Sequence, residues 1–144
     1  MPEKTSKLFK DSKIIVYTDG GSRGNPGPAA LGVVIIGSHE YGERIGNTTN
    51  NIAEYKAVIF ALKKVKQLVG NKKAGEVEVE VRMDSELIVR QLEGEYKIKD
   101  EDLQPLFIEV WNLKLDFKKV DFVHVRREKN KRADELVNEA LDDG

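Results

Sequence analysis

The chain has 144 residues, of which 40% are hydrophobic and 34% charged, a composition that suits one packed domain. A formal net charge of −1 excludes a bulk polycation, so a polyanionic partner would have to be met by local basic groups or by metal ions. There is no Cys, which excludes disulfides, thiolate zinc sites and Cys nucleophiles, and no apolar run approaches the ~20 residues of a bilayer span. A cytoplasmic monomer with no membrane contact is the expectation.

Residues 1–12 read as a polar lead-in, with no apolar leader segment. Lys13–Asp19 is the first predicted strand, its Ile14, Ile15 and Val16 suggesting a central position. A loop over Gly20–Pro28 follows, then a second apolar strand over Ala29–Ile36. Gly37, Ser38 and Gly42 supply turn chemistry into a third strand near Tyr41–Gly46. Asn47–Asn51 is a cluster of helix-capping residues, with Asn50 or Asn51 expected to cap. A helix is predicted from Ile52 to Val69, stopped by Gly70. Val77–Met83 alternates strictly, the sign of a strand with one dry face. Asp84 is placed to cap a short helix ending at Gly94. Glu101–Phe117 is read as a helix with Leu103, Leu106, Phe107, Val110 and Trp111 toward the core. Val120–Val125 is a fifth strand, and the last helix carries Ala133, Leu136, Val137, Ala140 and Leu141 on one face. A hairpin followed by β-α-β units predicts an α/β fold with a mixed sheet.

Four acids deserve separate weighing. Asp19 and Asp84 each end a strand, where a turn residue or an N-cap is the ordinary explanation. Asp134 sits in the first turn of the last helix, where the helix dipole accounts for an acid. Glu54 is more informative. It lies only about 40° around its helix from Val58 and about 20° from Val65, so it points with the apolar stripe toward the sheet. An unpaired ionised acid on a buried face is costly, so either the first helical turn frays outward and the acid favours the helix dipole, or a cationic partner meets it, which explains the geometry better. Carboxyl ends of parallel strands are where such sheets place ligands, so the four acids could converge there. Oxygen-only ligands favour a hard ion such as Mg²⁺ or Mn²⁺, and hard ions with open positions suit phosphoryl transfer.

Four stretches, YTDGGSRGNPGPAALG, TTNNIAEYKAVIFAL, RMDSELIVRQLEGEYKIK and NKRADELVN, each carry one of these acids. In this order they closely resemble type 1 ribonuclease H, and the match runs from about Lys13 to the C-terminus. The resemblance implies a ribonuclease H-like fold, a five-stranded mixed sheet flanked by helices on both faces, with residues 13–144 forming a single catalytic domain. It implies an endonuclease that hydrolyses the RNA strand of an RNA/DNA hybrid, leaving 5′-phosphate and 3′-hydroxyl ends. Asp19, Glu54, Asp84 and Asp134 match the family's metal-binding acids. Asp19 would bridge two Mg²⁺ ions, with Mn²⁺ a possible substitute. Asp134 would help hold the ion that activates the attacking water, and Glu54 and Asp84 the ion at the leaving 3′ oxygen. Gly20, Ser22, Gly24 and Asn25 match family positions at the RNA strand. Thr49, Asn50 and Asn51 match positions near the hybrid backbone and its minor groove.

The match also departs from the family. Many relatives place a His in the loop before the fourth acid, whereas this loop is compressed to RREKN. Arg126, Arg127 or Glu128 is left as a speculative substitute. The basic protrusion of some relatives is also missing after Tyr96–Asp100. Lys97, Lys99, Arg126, Arg127 and Arg132 are therefore the candidates for phosphate contacts, against the ordinary reading of each as a solvated charge. Neither G-x-G-x-x-G nor G-x-x-x-x-G-K-[ST] is satisfied, which counts against a nucleotide-binding module.

Overall fold

The computed structural model describes residues 13–143. The lead-in read at 1–12 lies outside the described residues. Five strands form one sheet: β1 (Lys13–Ser22), β2 (Gly27–Ile35), β3 (His39–Thr48), β4 (Glu78–Met83) and β5 (Lys119–His124). The helices are α1 (Asn50–Val69), the one-turn α2 (Asn71–Ala74), α3 (Glu86–Leu92), α4 (Gln104–Lys114) and α5 (Lys131–Asp142), the last preceded by a 3₁₀ turn at Arg127–Lys129.

The strand order is β3-β2-β1-β4-β5. The first three strands form an antiparallel meander, and β1, β4 and β5 run parallel. β1 is therefore central, as its apolar run predicts. Val16 and Thr18 are almost completely buried on one of its faces. Successive strand residues point to opposite faces, so that side receives α1 and the other receives α5. One core cluster joins β1, β2, β4 and β5 to α1, α3 and α4 through Val16, Val33, Val58, Leu62, Val81 and Ile88. Smaller clusters seat α5 on β2, through Ala30 with Val137 and through Val34 with Leu136. The sheet is thus mixed and covered on both faces.

The stretch after Asp19 is more regular than a loop. Asp19–Ser22 pairs antiparallel with Ala29–Gly32, so the turn shrinks to residues 23–26. Gly20 serves close packing, while Gly24, at φ 112°, makes the turn itself. α4 is shorter than the predicted helix and begins with Pro105 in its first turn, where a missing N–H costs nothing. Trp111 departs from expectation more sharply. Leu103 and Val110 are buried, but Trp111 is 51% exposed and lies on the outer face of α4 with Ile108 and Leu115.

Candidate active site

Two glycines explain how acids from four elements meet. A Cβ on Gly20 would collide with the Ala53 carbonyl and the Glu54 backbone, so the start of α1 rests directly on β1. That contact delivers Glu54 to the end of the strand. Gly32 is the cross-strand partner of Asp19. A Cβ on Gly32 would collide with the Ala133 carbonyl, so α5 rests there and brings Asp134 beside Asp19. Asp84 arrives through the parallel register, which sets Tyr17 opposite Arg82 and, two residues on, Asp84 beside Asp19.

Asp19, Glu54 and Asp84 each offer a carboxylate oxygen within 4.8 Å of the others. Asp134 stands outside this tightest group. It lines the same cleft, with its carboxylate exposed beside Asp19. Burial, then the charges of Asp84, Glu54 and Asp134, push the Asp19 carboxyl up to about 8. Burial and the charge of Asp84 push Glu54 up to about 7, against the pull of a hydrogen bond from Ser85. Among the described residues, none of the four acids has a Lys or Arg partner in an ion pair. Crowded carboxylates without a cation are an oxygen-only donor set for a hard divalent ion, and the residues fit one.

The cap expected of Asp84 is supplied by its neighbour. Ser85 Oγ accepts from the Ile88 N–H at 3.3 Å, which leaves the Asp84 carboxylate free to face the cleft. A serine is as good a cap as an aspartate, so the sequence alone did not separate the two. The cap expected of Asn50 or Asn51 falls to Thr49, whose Oγ1 accepts from the Ile52 N–H. Asn50 instead binds the β1–β2 turn. Its Oδ1 accepts from the Ser22 N–H at 2.8 Å and from Ser22 Oγ at 3.2 Å. The Asn50 N–H donates to Asn25 Oδ1 at 3.0 Å. The turn and the head of α1 are therefore locked together.

The cleft has a volume of about 420 Å³. Gly20, Ser22 and Asn50 line it with the four acids, whereas Gly24, Asn25, Thr49 and Asn51 lie outside its lining. Of the basic candidates, Arg127 lines the cleft. Arg132 is held by Glu40, Glu135 and Glu139, which leaves its guanidinium occupied. His124 is exposed at the end of β5, and His39 hydrogen-bonds Ser38 in the hairpin turn. Four polar residues at the site escaped sequence reasoning: Arg23, Ser85 and Asn138 in the lining, and the buried Asn130 beside Asp84. The signal for Asn130 was its place four residues before Asp134, at the mouth of α5.

A family model described as "Reverse transcriptase-like" matches residues 17–140. A ribonuclease HI of Halobacterium salinarum is 40% identical over 139 residues, covering 93% of this chain and 67% of the relative. The solved structure of LC11-RNase H1, isolated from compost, is 54% identical with a TM-score of 0.85, covering 92% of this chain and 97% of that one. LC11-RNase H1 has also been solved in complex with an RNA/DNA hybrid. A bifunctional protein of Mycobacterium tuberculosis is 39% identical over 136 residues, and the chain spans 36% of its length. The fold and the matched family model define a reverse-transcriptase-like domain with a cluster of acids in its cleft. The chain belongs to the type 1 ribonuclease H family.

Proposed function

We propose that residues 13–144 act as one catalytic domain that hydrolyses the RNA strand of RNA/DNA hybrids with two divalent cations, Mg²⁺ or Mn²⁺. The observation that carries this reading is the convergence of Asp19, Glu54 and Asp84 within 4.8 Å, half-buried and without a protein cation among the described residues. The LC11-RNase H1 complex with a hybrid supports the choice of substrate.

Asp19, Glu54, Asp84 and Asp134 would hold the ions. When bound, such ions acidify an attacking water and offset charge on a leaving oxygen, which here would leave 5′-phosphate and 3′-hydroxyl ends. The remaining work falls to the chain. Asn50 fixes the Ser22 segment, so that small residues beside Asp19 present backbone to a ribose hydroxyl, the group that separates RNA from DNA. Of Arg126, Arg127 and Glu128, Arg127 lines the cleft and is placed to meet phosphate charge.

The test is a labelled hybrid incubated with protein and Mg²⁺ or Mn²⁺, with and without chelator, beside an RNA duplex and single-stranded RNA. Cleavage of the hybrid RNA that chelator stops is expected, with 5′-phosphate on the products. Intact RNA under every metal condition would overturn the proposal.

A further inference from the structure

We infer that Asn130 is a positioning residue that ties three of the acid-bearing elements into one register. This rests on the metal-dependent reading above. Its side chain is 1% exposed, in a place where an apolar residue would be cheaper to bury. The Nδ2 group donates to the Thr18 carbonyl at 2.9 Å and to Asp84 Oδ2 at 3.3 Å. Thr18 immediately precedes Asp19, so one amide group fixes the end of β1 and the carboxylate that follows β4. The Asn130 carbonyl in turn accepts from the Asp134 N–H at 3.2 Å, which sets the first turn of α5.

The chemistry demands an amide here. Both side-chain neighbours are acceptors, so the group facing them must carry two hydrogens, and that settles which way the amide points. Aspartate has the same shape but no donors, and it would add a fifth negative charge. Serine has one donor and a shorter reach. The Oδ1 atom is buried with no partner among the described residues. A group chosen for stability alone would not leave an acceptor unsatisfied. The two donated bonds are therefore the reason for asparagine. Asn130 touches no reacting atom in this scheme; it acts through Asp84 and the strand that carries Asp19. Supporting partners of metal-binding carboxylates have this kind of role.

The experiment is calorimetric titration of Mn²⁺ into the full chain and into Asn130→Ala and Asn130→Ser. Hybrid cleavage and thermal unfolding in chelator are measured alongside. Asn130→Ala should weaken Mn²⁺ binding and lower kcat by about 10- to 100-fold while leaving KM for the hybrid within about twofold. Asn130→Ser should fall between Ala and the parent. In an Asp84→Ala background the Asn130→Ala substitution should lose most of its effect on Mn²⁺ affinity, because its acceptor is gone. A variant that unfolds earlier in chelator yet binds Mn²⁺ within twofold of the parent shows a merely structural role and overturns the inference. If Asn130→Ala does not fold, Asn130→Ser decides by the same criterion. A parent protein that neither binds Mn²⁺ nor cuts hybrid counts against the proposed function instead, so the two failures are distinguishable.

Discussion

β1 and β4 carry two clusters of charge a few residues apart, and the two obey opposite rules. Within the strands, Lys13, Tyr17, Glu80 and Arg82 satisfy one another. Arg82 Nε donates to Glu80 at 2.6 Å, its Nη1 donates to the Tyr17 hydroxyl at 2.7 Å, and Lys13 pairs with Glu80 at 3.1 Å. Burial would raise the Glu80 carboxyl, but the hydrogen bonds from Arg82 and Lys13 outweigh it and hold that carboxyl below its ordinary range. Further along, Asp19 within β1 and Asp84 just past β4 meet Glu54 with no such partner among the described residues, and Asp19 and Glu54 are pushed up. A charge that serves stability is neutralised by its own chain. A charge that serves a ligand is left waiting for it.

The sharpest test of this contrast is Asp19→Asn. Cleavage should fall by roughly a thousand-fold, about 4 kcal/mol of transition-state stabilisation. The metal-free protein should nevertheless become more stable. The Asp19 pKa rises on folding from an ordinary 3.8 to about 8. Between those values the folded form holds more protons than the unfolded, so stability in chelator falls as pH climbs through that window. Removing the charge at pH 7.5 should return up to about 5 kcal/mol, and the pH–stability profile should flatten. Glu80 has the opposite sign: its contribution is present above its ordinary 4.5 and is lost as pH drops below it. Thermal melts in chelator from pH 4 to pH 9 read both. An Asp19→Asn protein that melts earlier than the parent at pH 7.5 would break the comparison.

Asn50 tests the cleft without touching its charges. Asn50→Ala removes the acceptor of two bonds from Ser22, and the Ser22 segment should loosen against α1. KM for the hybrid should rise by about tenfold, with kcat changed far less. A fall in kcat with KM unchanged would move Asn50 from substrate placement to the metal-binding group.

The neutralised cluster should respond in the other currency. Glu80→Gln leaves Arg82 and Lys13 without their charged partner and should cost about 1 kcal/mol, kept small by partial exposure. Its cleavage rate should stay within about twofold of the parent. A large loss of rate would mean that the two clusters communicate along the shared strands.

This contrast also marks how far the sequence could be read. The strands and the helix faces follow from periodicity, because burial imposes period 2 or 3.6 on the residues themselves, and a hairpin followed by β-α-β units predicts the mixed sheet; the order β3-β2-β1-β4-β5 came only with the structure. Glu54 was legible for the same reason: an acid on an apolar stripe violates a pattern. Ser85 and Asn130 violate nothing. Each is a polar residue at a helix mouth, where capping is sufficient cause, and only the packing of distant elements gives Asn130 its partners Thr18 and Asp84. The ion pairs of Arg132 were hidden by the same limit, since its partner Glu40 lies 92 positions away on another element.

Trp111 is the smallest case and shows the contrast without charge. Apolar periodicity assigned it to the core, yet it stands 51% exposed, stacked on Phe107 with the Lys114 ammonium 5.2 Å from its ring centre. Leu103, eight positions earlier, is 2% exposed. Leu103→Ala should therefore cost about 2–5 kcal/mol, the range for a buried side chain cut back to a methyl. Trp111→Glu should cost no more than about 1 kcal/mol, the worth of a surface stacking contact. Urea unfolding of the two variants compares them directly. A Trp111→Glu loss above about 3 kcal/mol, the scale of a buried aromatic, would mean that the outer face of α4 is covered in solution.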